Sequence, residues 1–181
     1  MKLDGLASAA VVALTFAAAP AAQASFQVIS GDTTSAPTYN RALEDFSGLS
    51  GIGTDVRYDT YTFTVSVAGD YLFNTTGAFD TFVFLYQGSF NPADATTNGV
   101  FANDDLFLGN SFAISGFEVP LAPGTTYIYV TTGFDVPDAG AYSTTIAGPA
   151  PLLAVPEPET YAMMGLGLLG LGTSSLRRRR R

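Results

Sequence analysis

The chain has 181 residues, a formal net charge of −8, no cysteine and no histidine. Those two absences exclude Ser-His-Asp and Cys-His nucleophile systems, disulfide staples, and zinc centres built on imidazole or thiolate. Residues 25–155 hold 13 of the 16 acidic residues but only Arg41 and Arg57 of the 8 basic ones, a net charge of −11 that argues against a nucleic-acid surface and fits either divalent-cation binding or simple solubility in a crowded matrix.

The first predicted element is a signal helix. Lys2 precedes a largely apolar, uncharged run from Leu6 to Ala19, and Ala22-Gln23-Ala24 fits a small-x-small cleavage site. This pattern predicts a secretory signal peptide over 1–24, with Ser25 as the mature N-terminus. Between 25 and 150 no helical periodicity appears. Thr60 to Val67 (TYTFTVSV) alternates apolar and polar residues with the period of a half-buried strand. Ala68-Gly69-Asp70 reads as a turn and Tyr71–Thr75 as the returning hairpin arm. Thr81 to Tyr86 (TFVFLY) is apolar on both faces and reads as a central strand.

Residues 87–99 read as a loop, Val100–Ala102 as a short strand, and 110–119 as a strand with an irregularity at Gly116. Residues 125–131 (TTYIYVT) form a strong aromatic and β-branched strand, and 141–146 the last one. Strands at this spacing, separated by Gly/Pro/Asn turns, predict an all-β fold: an antiparallel, jelly-roll-like β-sandwich over 25–150. With 13 of the 14 Phe and 8 of the 9 Tyr, that span has the apolar volume to fold without disulfides.

A Pro-rich linker is expected over 151–160, containing Val155, Pro156, Glu157 and Pro158. Tyr161 to Leu176 is a 16-residue stretch without charge, followed by Arg177, Arg178, Arg179, Arg180 and Arg181. As a helix the stretch spans roughly 24 Å, against a hydrocarbon core of about 30 Å that snorkelling arginines help to bridge. The expectation is a single C-terminal transmembrane helix over 161–181 with the arginines as a cytosolic stop, everything before it outside.

Pro156-Glu157-Pro158, the apolar run through Leu171 and the arginine cluster together resemble the PEP-CTERM sorting signal of bacteria. The resemblance implies a Gram-negative, exopolysaccharide-producing source and an exosortase-type membrane enzyme that reads the tail and cuts near the motif. Two prolines keep that segment extended and bar helix there. The core resembles a second family, the bacterial pre-peptidase C-terminal domain, through residues 59–63 (DTYTF), Ala68-Gly69, Asp80 before TFVFLY, Asn103-Asp104-Asp105, residues 123–130 (PGTTYIYV) and Gly140-Ala141-Tyr142. That likeness implies a secreted β-sandwich that binds or stabilises and does not catalyse.

Asp80, Asn103, Asp104 and Asp105 are candidate oxygen ligands for calcium, the alternative being plain turn capping. Asp135 and Asp138 are weaker candidates. Tyr58, Tyr127, Tyr129 and Tyr142 are candidates for stacking on polysaccharide, the alternative being core packing. No pair of carboxylates stands out for glycoside hydrolysis. The leading expectation is an exported, non-enzymatic envelope or matrix protein. It is anchored in the inner membrane, then processed and left at the cell surface or in the extracellular matrix. The second expectation is a calcium-dependent or carbohydrate-binding adhesion module of that matrix.

Overall fold

A computed structural model describes residues 24–106 and 114–156. Its ten strands are β1 (Ser25–Asp32), β2 (Thr38–Tyr39), β3 (Val56–Val65), β4 (Gly69–Gly77), β5 (Thr81–Gln87), β6 (Gly99–Asn103), β7 (Ile114–Leu121), β8 (Tyr127–Gly133), β9 (Ala141–Gly148) and β10 (Leu152–Ala154). They form a four-stranded sheet in the order β1-β9-β4-β7 and a second sheet in the order β10-β3-β8-β5-β6, with β2 also paired to β3. All the pairings are antiparallel. The all-β antiparallel sandwich is therefore as the alternation predicts, and the described residues contain no helix.

The main core lies between the sheets. Phe63, Val65, Val83, Leu85 and Tyr129 from one sheet meet Tyr71, Phe73, Phe117, Val119 and Ile146 from the other. Rings interlock here: Phe73 stacks on Tyr129 at 5.0 Å, an arrangement that adds about 1 kcal/mol to the burial itself. A second core explains why β5 is apolar on both faces. Its outward residues Phe82, Phe84 and Tyr86 are covered by a loop layer carrying Tyr39, Ala42 and Phe46. The larger sheet is thus sandwiched between its partner sheet and residues 33–55.

Three expectations are corrected. The hairpin between 60–67 and 71–75 does not form, because β3 and β4 lie in different sheets and β4 pairs with β7 and β9. Residues 66–68 carry the chain across the core, and the Tyr71 hydroxyl donates to the Val67 carbonyl (3.0 Å) to hold that corner. Gly116 sits in regular register opposite Asn74. A β-carbon there would strike the Phe73 carbonyl, so the glycine serves a close strand approach; the register shift lies in β5, between Leu85 and Tyr86. Leu152–Ala154, expected within the linker, forms β10 on the edge of the larger sheet.

The N-terminal strand β1 has an unusual polarity. Phe26 and Val28 face solvent at 74% and 61% exposure, while Gln27, Ile29 and Gly31 turn toward the sandwich. Two side-chain requirements set that register. Gln27 accepts from the Leu152 amide (2.9 Å) and donates to the Tyr61 hydroxyl (3.4 Å), joining the edges of the two sheets. Gly31 lies against the hydrogen bond from the Tyr142 hydroxyl to Asp59 (2.8 Å), where any β-carbon would collide with both groups. A one-residue slip would lose both features at once.

Candidate functional site

Strand register gathers the acidic loops at one end of the larger sheet. Thr81 pairs with Gly133, and the Phe134 amide donates to the Asp80 carbonyl (3.0 Å). Val83 pairs with Asn103, which brings Asp104 and Asp105 back alongside the start of β5. Arg41, from the loop layer, enters this end and is only 3% exposed. Its guanidinium carbon lies 4.3 Å from the centre of the Phe82 ring and 5.0 Å from that of Phe134. It donates to the Phe134 carbonyl through Nε (3.2 Å) and Nη2 (3.0 Å), and to the Ala42 carbonyl through Nη1 (3.3 Å).

Burial dominates the electrostatics. It pushes the Asp104 carboxyl up to about 7, with the neighbouring Asp80 and Asp105 charges adding to the shift and Arg41 opposing it. Asp80 rises to about 6 for the same leading reason, aided by Asp138 and Asp105. Burial lowers the Arg41 pKa, and Asp104 is the strongest of the charges that hold it up. The Oδ1 atoms of Asp80 and Asp104 are both buried without a hydrogen-bond partner. Two acids with unused oxygens and raised pKa values either hold protons near neutrality or face a cation.

The other candidate ligands divide. Asp105 is exposed beside the pair. Asn103 is committed, its Oδ1 accepting from the Gly116 amide (3.2 Å). Asp138 accepts from the Asp135 amide (2.9 Å), a turn-capping role. Among the described residues no three acidic side chains converge in metal-binding geometry, so the mutual influence of Asp80, Asp104 and Asp105 is electrostatic at longer range. Arg41, which had no signal in the sequence, is the central residue of this cluster.

Of the two readings for the tyrosines, stacking on polysaccharide or core packing, the structure shows core packing. Tyr127, Tyr129 and Tyr142 are buried and Tyr58 packs on the outer core. The Tyr129 hydroxyl bonds Thr75 (2.7 Å), and Tyr127 accepts from the Ala122 amide (3.1 Å). Among the described residues, the exposed aromatic side chains are Phe26 and Phe101. Phe101 borders a shallow groove with Glu44, Asp45, Phe46 and Val100.

At the C-terminal side, the Val155 amide donates to the Thr62 carbonyl (2.9 Å), and Pro156 follows directly. Glu157, Pro158, the 161–176 span and Arg177–Arg181 lie outside the described residues, as does Ala22. Ala24 is exposed, and Ser25 opens β1 opposite Gly148.

Residues 154–181 match the model of the PEP-CTERM protein-sorting motif. Several solved structures are similar, among them the following two. One is the pre-peptidase C-terminal domain of collagenase from Bacillus anthracis (TM-score 0.40, 20% identity, 66% of this chain and 87% of that one). The other is a Paenibacillus sp. cycloisomaltooligosaccharide glucanotransferase complexed with cycloisomaltoheptaose (TM-score 0.30, 19% identity, 67% of this chain but 18% of that one). No curated protein matches the sequence. The chain carries an exosortase-type sorting signal at 154–181, and that signal marks it for export.

Proposed function

We propose that this sorted, exported chain is a non-enzymatic component of the cell envelope or extracellular matrix. Its C-terminal helix holds it in the inner membrane, an exosortase-type enzyme cuts near Val155–Pro158, and the acidic sandwich remains at the surface or in the matrix. One observation carries this reading: the β-sandwich of the described residues ends where the matched sorting motif begins, at Ala154. The lack of histidine and cysteine rules out the Ser-His-Asp and Cys-His nucleophile systems, in keeping with a non-enzymatic role. The intact mass of the protein recovered from envelope and medium of its host tests this. A chain from Ser25 to the 155–158 region is expected; one still ending at Arg181 overturns the processing step.

The orphaned oxygens of Asp80 and Asp104 favour a second reading, a calcium-dependent adhesion module. Calcium takes six to eight oxygens. Asp80 and Asp104 would supply carboxylates, with backbone carbonyls and water completing the set; the acids do not converge as they stand, so binding would draw the two loops closer. Asn103, bonded to Gly116, has one lone pair left to offer. Bound calcium would keep both buried acids ionised and tie the two loops together for contact with polysaccharide. Retention of the sandwich on host polysaccharide, lost with chelator, is the expected result; no retention across a glycan panel counts against it.

A further inference from the structure

The last strand among the described residues and the sorting motif share Ala154. β10 pairs Leu152, Leu153 and Ala154 with Val65, Thr64 and Phe63. Leu152 is 5% exposed and belongs to the inter-sheet core, and its amide is held by Gln27. The sheet bonding reaches one residue further, to Val155 and Thr62. The matched motif starts at Ala154, so no linker separates the last sheet hydrogen bond from Pro156.

Processing enzymes bind the chain around the scissile bond as an extended strand, taking up its backbone N–H and C=O groups. On the N-terminal side of Pro156 alternate groups of β10, the Val155 amide among them, are already engaged by β3, and the Leu152 amide by Gln27. We infer that the processing enzyme competes with β3 for β10, so that cleavage requires β10 to peel from the sandwich first. The inference rests on the processing step proposed above. Cleavage breaks one peptide bond: its acyl carbon passes to water or an acceptor amine, and the amino group leaves on the membrane tail. The fold acts before this step, by setting the fraction of chains in which β10 is open. When opening and closing are fast relative to cutting, the rate follows that fraction. Gln27 and Leu152 are then positioning residues for processing, although neither touches the reacting bond.

A redox clamp tests this. Leu153 and Thr64 are register partners, and antiparallel partners lie about 4.5–5.5 Å apart, within disulfide reach. The chain has no cysteine, so L153C/T64C makes a single bond that forms only with β10 docked. Full-length precursor is presented to membrane vesicles carrying the processing enzyme, and cleavage is followed by mass. We expect the oxidised clamp to be cut at least about tenfold more slowly than the same sample after reduction, while wild type ignores the redox change. A flexible Gly/Ser spacer between Val155 and Pro156 should restore cleavage of the clamped chain and speed that of the unclamped one. Equal cleavage of oxidised and reduced clamp, with no effect of the spacer, overturns the inference and leaves the processing reading intact. Wild type left uncut by vesicles that cut another sorted substrate overturns both.

Discussion

Arg41 shows how one side chain can organise a charged cluster at the end of an aromatic layer. Its stem and guanidinium fill the space between Phe82 and Phe134, and its donors satisfy carbonyls that the loop layer leaves free. Arg41→Ala removes packing, hydrogen bonds and the counter-charge of Asp104 together. A loss of about 3 kcal/mol is expected in denaturant unfolding. The acids beside it make stability pH-dependent. Asp80 and Asp104 titrate near 6 and 7 when folded but near 3.8 when unfolded. Between those limits the folded chain holds more protons, so stability falls as pH rises from about 4 to 7 and is lowest above that window. Thermal melts should therefore give a higher Tm at pH 5 than at pH 8. The double variant D80N/D104N should flatten that profile and melt higher at pH 8. If calcium binds, millimolar calcium should raise the wild-type Tm at pH 8 and leave the double variant unmoved.

At the scale of strands, the edges carry the specificity. Gly31→Ala forces a β-carbon into the Tyr142–Asp59 bond, and overpacking of this kind costs about 1–3 kcal/mol. Hydrogen exchange should localise the damage to β1 and β9. Leu152→Ala removes a buried side chain from a strand held by three residue pairs, for a loss of about 2–4 kcal/mol. Chemical denaturation measures it. These edges were also the least legible part of the sequence. Period-2 alternation in 60–65 tells which residues turn inward, but both sheets of a sandwich turn inward to one core. The pattern could not say that β3 and β4 face each other instead of pairing. β1 was not read as a strand because Phe26 and Val28 point outward, and of its inward residues Gln27, Ile29 and Gly31 only Ile29 is a large apolar side chain. Asp80, Asp104 and Asp105 were visible as a group because turn-end acids recur at strand termini. Arg41 was not, since a lone arginine in a loop carries no period or motif. The buried tyrosines were ambiguous for the opposite reason: their hydroxyls find partners such as Thr75 inside the core, so a polar atom did not mean a wet one.

Across the molecule, three layers share one economy of charge. The sheets and their loop cover bury aromatic surface on both sides of the larger sheet, while the excess of 11 negative charges in 25–155 sits mostly on turns and outer faces. Raising ionic strength should screen that repulsion and increase Tm modestly, an effect that salt titration resolves. The same scarcity of cations decides how the domain meets digestive enzymes. Trypsin-like proteases cut after lysine or arginine, and residues 25–155 offer them Arg41 and Arg57 alone. Arg41 is wedged between two rings. Arg57 lies within β3, paired to Thr38, with its guanidinium on the Ala36 carbonyl. Neither bond can enter a protease cleft while the sheets are closed, so survival among secreted trypsin-like enzymes is a matter of how seldom the sandwich unfolds.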